Sequence, residues 1–160
     1  MSSIVLRMAY AGEKFEIMDL KLSTYNDSFF QLELDLESDI LYEMRSANGW
    51  IPHRINEAPV RELKIMKSFF NRYRDSFYFM FEKGELIGST MQKANYLQSV
   101  SIARKFQGKG LGELLTMFAV NKILEKGFKT VELDVFSDNF KAFNLYNKLG
   151  FKVLRSIKSS

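Results

Sequence analysis

Gln107-Gly108-Lys109-Gly110-Leu111-Gly112 is the stretch whose residue types and spacing could do chemistry. Three glycines fall within six residues, Lys109 lies among them, and Arg104 and Lys105 stand just upstream. The first main-chain amides of a helix have no partner inside it, and the helix dipole makes that end positive. Glycines let a bulky anion approach the main chain and permit turn angles that other residues resist. Phosphate or pyrophosphate is the natural guest of such a loop. Neither common phosphate motif fits. The P-loop needs Gly, four residues, then Gly-Lys-Ser/Thr, and the dinucleotide fingerprint needs Gly-x-Gly-x-x-Gly. The plainer alternative is a glycine-rich turn that serves chain reversal and packing.

The loop needs a strand before it and a helix after it, and the periodicity predicts both. Asn95 to Ile102 is rich in β-formers, and Leu111, Leu114, Leu115, Phe118 and Ala119 recur at helical spacing from about Lys109 to Lys126, with Gly127 as a stop. Downstream, residues 130–136 alternate as a strand that puts Glu132, Asp134 and Phe136 on one face. A helix from about Asn139 to Leu149 follows, with Ser137 or Asp138 as N-cap and Gly150 past its end, then a last strand from Phe151 to Ser156. Upstream, Ile4–Tyr10 and Phe15–Leu22 read as two strands. Phe29 to Ser46 reads as a helix with Phe29, Leu32, Leu36, Ile40 and Met44 near helical spacing, and its Glu33, Asp35, Glu37, Asp39 and Glu43 read as a solvated face or as a rim for a cationic guest. A second helix opens near Pro59 and carries Leu63, Met66, Phe69 and Phe70 on one side, and residues 77–82 and 85–92 form a hairpin across Lys83-Gly84.

Composition bounds the rest. The chain has 160 residues, no cysteine, one histidine and a net charge of +4. That length suits one domain, and the missing thiols exclude disulfides, thiolate metal clusters and a catalytic cysteine. His53 alone cannot build a histidine-rich zinc site, and in its loop it reads as a surface residue, so no metal is expected. The charge favours an anionic ligand, but no basic block with interleaved aromatics points to nucleic acid. No signal peptide or bilayer-spanning run is seen, so a cytoplasmic location with no membrane partner is the expectation. Fifteen phenylalanines make the core aromatic.

Gln107-Gly108-Lys109-Gly110-Leu111-Gly112 resembles the Gln/Arg-x-x-Gly-x-Gly/Ala loop of the GNAT superfamily of N-acyltransferases. Asn139-Phe140-Lys141-Ala142-Phe143-Asn144-Leu145-Tyr146-Asn147-Lys148-Leu149-Gly150-Phe151 matches every fixed position of that family's Asn-x-x-Ala-x-x-Leu-Tyr-x-Lys-x-Gly-Phe pattern. The likeness covers Phe77 to about Arg155. It implies an α/β (α+β) fold: a single domain over residues 1–160, with a central, mixed, mostly antiparallel sheet and helices on both faces. Residues 1–76 would form the acceptor side and residues 77–156 the part that binds coenzyme A. The implied activity is transfer of an acetyl group from acetyl-CoA to a primary amine, by direct attack in a ternary complex. The alternative is a non-catalytic acyl-CoA-binding or sensor module on the same fold.

The resemblance also implies roles. Gln107, Gly108, Lys109, Gly110, Leu111 and Gly112 would hold the pyrophosphate, and Asn139 would bond the pantetheine arm or pyrophosphate region, or simply shape the turn. Val100, Ser101 and Ile102 lie on a strand that splays from its neighbour in this family and pairs with the arm through main chain, one N–H facing the thioester carbonyl. Tyr146 would protonate the leaving thiolate; its plain alternative is a core tyrosine. Asp134 stands where some members place a general base, with Glu33, Glu37 and Tyr96 as substitutes. Members usually carry two strands after the last helix, and here there is room for one. Either Ile4–Tyr10 or a strand from a second subunit, making a homodimer, would complete that edge.

Overall fold

The computed structural model describes residues 4–47 and 55–158; Trp50 and His53 lie outside them. The elements run β1 (Ile4–Tyr10), α1 (Phe30–Ala47), α2 (Val60–Arg72), β2 (Phe77–Glu82), β3 (Glu85–Lys93), β4 (Tyr96–Ile102), α3 (Leu111–Glu125), β5 (Val131–Phe136), α4 (Phe140–Leu149) and β6 (Lys152–Lys158). The strand order is β2-β3-β4-β5-β1-β6. Pairing is antiparallel for β2/β3, β1/β5 and β1/β6, and parallel for β4/β5. This is the mixed, mostly antiparallel sheet that the family resemblance implies. No helix among the described residues is long and apolar enough to cross a membrane.

The chain forms two compact units. One holds residues 1–18, 92–98 and 116–160, the other residues 19–91 and 99–115. In the first, β1 lies between β5 and β6. It pairs with β5 from Val5↔Phe136 to Tyr10↔Val131 and with β6 from Ile4↔Lys158 to Ala9↔Lys152. The strand Ile4–Tyr10 therefore does not close the edge beside the last strand, as expected, but lies inside the sheet, and β6 is the outermost strand with Val153 and Leu154 exposed. Val131, Leu133 and Val135 are buried while Glu132, Asp134 and Phe136 are half-buried, as the alternation requires.

Helix α4 ends as its sequence dictates. Gly150 is left-handed at φ +105°, its N–H reaches Asn147 O at 3.1 Å, and Phe151 N reaches Tyr146 O at 3.0 Å. A Cβ at Gly150 would also lie 3.4 Å from the Tyr10 ring. Gly150→Ala is expected to cost about 1–2 kcal/mol, the strain of a left-handed residue with a side chain; urea unfolding measures it. At the other end the cap is Asn139, not Ser137 or Asp138. Asn139 Oδ1 accepts from Ala142 N at 3.2 Å.

The segment from Phe15 to Leu22 is not a strand. At its start the main-chain groups of Phe15 are taken by a side chain: Phe15 N donates to Asn121 Oδ1 at 2.7 Å, and Asn121 Nδ2 donates to Phe15 O at 2.9 Å. One carboxamide on α3 thus bonds Phe15 as a strand partner would.

In the second unit, Tyr25, Leu36, Phe77, Phe79, Leu86 and Met91 make the core, with Phe29, Phe30 and Phe70 packed on it. Much of the aromatic content is spent here, in contacts such as Tyr25 on Phe70 at 5.7 Å and Phe70 on Phe77 at 4.8 Å. β3 is buried along nearly its whole length, as a strand covered on both sides must be. β2 and β3 turn through Lys83 (φ +50°) and Gly84 (φ +78°), the conformation of a two-residue hairpin loop. The acidic face of α1 departs from expectation. Asp35 and Asp39 are exposed, but Glu33 is 2 % exposed whereas Leu32 is 41 % exposed.

Candidate active site

The glycine loop lies in the second unit and is built by strand, 3₁₀ turn and helix. Ala103 N donates to Ile87 O at 2.8 Å, Phe106 N to Ala103 O at 2.8 Å and Gln107 N to Arg104 O at 3.2 Å. The Gln107 side chain donates to Ile102 O at 2.9 Å, so it fastens the loop to the end of β4. Gly108 and Gly110 are left-handed, at φ +78° and +81°, and no heavy atom lies within 4 Å of where their Cβ atoms would be. The helix starts at once, with Leu114 N on Gly110 O at 3.1 Å. None of these bonds engages the amides of Gly108, Lys109, Gly110 or Leu111, which stand at the positive end of a 15-residue helix. An open cradle of this kind fits a diphosphate. Of the positions expected to bind the arm, Ile102 and Ser101 are buried and Val100 is half-buried. A side chain on Gly88 of β3 would lie 2.9 Å from Ile102 and 3.1 Å from Ser101 O, so that glycine lets β4 close up on β3.

Tyr146 and Asn139 lie in the first unit, both on or capping α4. Tyr146 is half-buried, with its ring edge-on to Phe151 at 5.8 Å. Burial pushes its phenol above the ordinary value, so at neutral pH the hydroxyl keeps its proton. Asn139 spends its oxygen on the cap, which leaves its Nδ2 for another partner.

Asp134 is not a free carboxylate. Arg7 on β1 is its register partner and holds it in a fork: Nε donates to Oδ1, and Nη2 donates to Oδ2 at 3.1 Å. The Tyr96 hydroxyl donates to the same Oδ2 at 2.8 Å, and the Arg7 guanidinium lies 5.3 Å from the centre of the Tyr96 ring. Burial alone would raise Asp134, but the bonds from Arg7 and Tyr96 outweigh it and hold the carboxyl below the usual range. Burial first, and then Asp134, push Tyr96 up to about 12. The register between β4 and β5 is confined to Tyr96↔Glu132, supported by Glu132 N on Asn95 O at 2.9 Å. The Arg7–Asp134–Tyr96 group therefore sits at the point where, among the described residues, these two strands are paired.

The structure brings together Asp134 and Tyr96, both weighed from sequence, and adds Arg7, which was not. Its signal was one cation in the apolar run Ile4-Val5-Leu6-Arg7-Met8. Glu33 and Glu37 lie on α1 in the second unit.

A family model described as acetyltransferase (GNAT) family matches residues 24–151. The chain belongs to the GNAT family of acetyltransferases. Among curated relatives of this GNAT protein, the mycothiol acetyltransferase of Corynebacterium glutamicum is 30 % identical over 114 residues, 68 % of this chain and 36 % of that one. The chain spans only about a third or less of the curated relatives it matches. Among solved structures, a GNAT acetyltransferase from Colwellia psychrerythraea aligns with a TM-score of 0.73 at 12 % identity, over 98 % of this chain and 55 % of that one. The PaiA N-acetyltransferase of Thermoplasma acidophilum, solved with coenzyme A, aligns with a TM-score of 0.59 at 16 % identity, over 86 % and 92 %.

Proposed function

We propose that this GNAT protein moves an acetyl group from acetyl-CoA to a primary amine by direct attack. The observation that carries this reading is the glycine cradle: Gly108 and Gly110 are left-handed and unobstructed, and none of the loop's main-chain bonds described above engages the amides of Gly108 to Leu111. Gly108 to Gly112 would hold the diphosphate, Val100 to Ile102 the arm, and Tyr146 would return a proton to the leaving sulfur. A phenol near ~10 and a thiol near ~8.5 are close enough for that transfer, and the raised phenol keeps its proton until it is needed. Absence of cysteine leaves direct attack as the simple route. We assign Asp134 to orienting Tyr96 rather than to removing the amine's proton, because its oxygens are already engaged and its basicity is reduced.

Calorimetry with acetyl-CoA tests the cradle. We expect a saturable heat for the natural chain and at least a tenfold weaker affinity for Gly110→Ala, whose side chain would force the loop out of its left-handed turn. No heat from well-folded protein overturns the reading. Binding without coenzyme A release across a panel of amines would instead favour a non-catalytic acyl-CoA-binding module.

A further inference from the structure

β3 and β4 are joined by the two-residue turn Ala94-Asn95, with Ala94 at φ +53°. Such a turn pairs the residues that flank it, here Lys93 and Tyr96. In a regular antiparallel ladder each step back along β3 is matched by one step on along β4, so Ile87 would face Ile102. Instead, Ala103 N donates to Ile87 O at 2.8 Å. β3 takes six steps from Lys93 to Ile87 where β4 takes seven from Tyr96 to Ala103. One extra residue is therefore bulged out of β4.

The neighbouring contacts locate it. The Thr90 hydroxyl of β3 donates to Ser99 O at 2.8 Å, so this carbonyl is met by a side chain. Ser101 O already lies on β3's side, 3.1 Å from where a Cβ on Gly88 would stand. The ladder thus changes phase between Tyr96 and Ser101, at Ser99. Successive residues of a strand turn their N–H and C=O groups to opposite edges. Without the bulge, Val100 and Ile102 would aim theirs at β3 and spend them in the ladder. With it they aim away from β3. Ile102 O is accordingly met by the Gln107 side chain at 2.9 Å. On that edge β4 is paired, among the described residues, at Tyr96↔Glu132, ahead of the bulge.

We propose that Thr90 is a positioning residue for the acyl arm: its hydroxyl holds the bulge at Ser99, and the bulge turns the amides of Val100 and Ile102 outward for the arm and its thioester. This rests on the acetyl-transfer reading and adds to it a residue that touches neither substrate. Thr90 is fully buried, so water cannot replace its hydroxyl, and without that donor the bulge loses the bond that fixes it.

The test is titration calorimetry on the natural chain, Thr90→Val and Thr90→Ser. The ligands are acetyl-CoA and 3′-phosphoadenosine 5′-diphosphate, which carries the diphosphate but lacks the arm. We expect Thr90→Val to bind acetyl-CoA about tenfold more weakly, the equivalent of one lost hydrogen bond, and the armless ligand within about twofold of the natural chain. Thr90→Ser, which keeps the hydroxyl, should bind both within about threefold. Amide exchange followed by NMR without ligand gives a second readout. Ser101 and Ala103 should be protected and Val100 and Ile102 exchange faster, a contrast that Thr90→Val should reduce. Equal acetyl-CoA affinity in the natural chain and Thr90→Val, or an equal loss of both ligands, overturns the role of Thr90. Protection of Val100 and Ile102 in the ligand-free natural chain overturns it too. No heat with either ligand from the natural chain overturns the acetyl-transfer reading instead, and the exchange pattern still decides whether Thr90 holds the bulge.

Discussion

Tyr146→Phe should lower kcat by about 10²–10³-fold while leaving the affinity for acetyl-CoA within about twofold, the loss typical of removing a positioned general acid. The exchange deletes one oxygen from a ring held edge-on to Phe151, so the packing of α4 survives and the effect is chemical. The split between binding and turnover separates this from a structural role. A core tyrosine would change stability and leave kcat alone; a proton donor does the reverse. The pH profile adds a second reading. With the phenol raised by burial, the alkaline fall in kcat that reports its ionisation should lie above pH 10 in the natural chain and be missing from the variant. Steady-state assays from pH 6 to 10.5, following coenzyme A release, decide it. Equal kcat in the two proteins would remove Tyr146 from the mechanism.

Arg7→Met should cost about 2 kcal/mol of stability at pH 7. The estimate lies between the ~0.2–1 kcal/mol of exposed ion pairs and the 3–5 kcal/mol of breaking a buried one, because Arg7 and Asp134 are 22 % and 26 % exposed. The loss is larger than a surface pair would give, since Asp134 keeps its charge but retains only Tyr96 as donor. The pH dependence has a definite sign. Asp134 has a depressed folded value, so its contribution is present above the unfolded value of about 3.9 and is lost as pH falls through the lower folded value. The gap between natural chain and variant should therefore begin to narrow as pH falls below about 3.9. Urea unfolding at pH 7, 5 and 3, with Asp134→Asn and the double variant to complete the cycle, measures the coupling. A coupling near zero would show that the fork stores no stability.

Much of the sequence is legible because its signals are local. Gly150 past α4, Lys83-Gly84 between β2 and β3, and the glycines before α3 each demand a particular main-chain angle, and the structure supplies it. The insertion of β1 between β5 and β6 carries no such signal. Register partners such as Arg7 and Asp134 lie 127 residues apart, and nothing local in either strand names the other. Phe15 to Leu22 alternates well enough for a strand, yet the Asn121 carboxamide takes the place of a strand partner. On α1 the apolar positions suggested a stripe through Leu32, and the helix turned out to be rotated so that Glu33 faces inward instead. Glu33 is four residues after Phe29 and three before Leu36, so strict helical spacing already put it beside the core. Its acidity made it look solvated, and only the position of Ser89, whose hydroxyl donates to its Oε1 at 2.7 Å, reverses that.

The place of β1 also governs when this protein can be assembled. Residues 4–10 are synthesised well before their neighbours, residues 131–136 and 152–158. At 5–20 residues per second the nascent segment waits roughly 6–30 s with an apolar, unpaired backbone before it can dock. Synthesis, not collapse, then sets the earliest moment of closure. During that wait Ile4, Val5 and Leu6 stand without the two strands that flank them in the finished sheet.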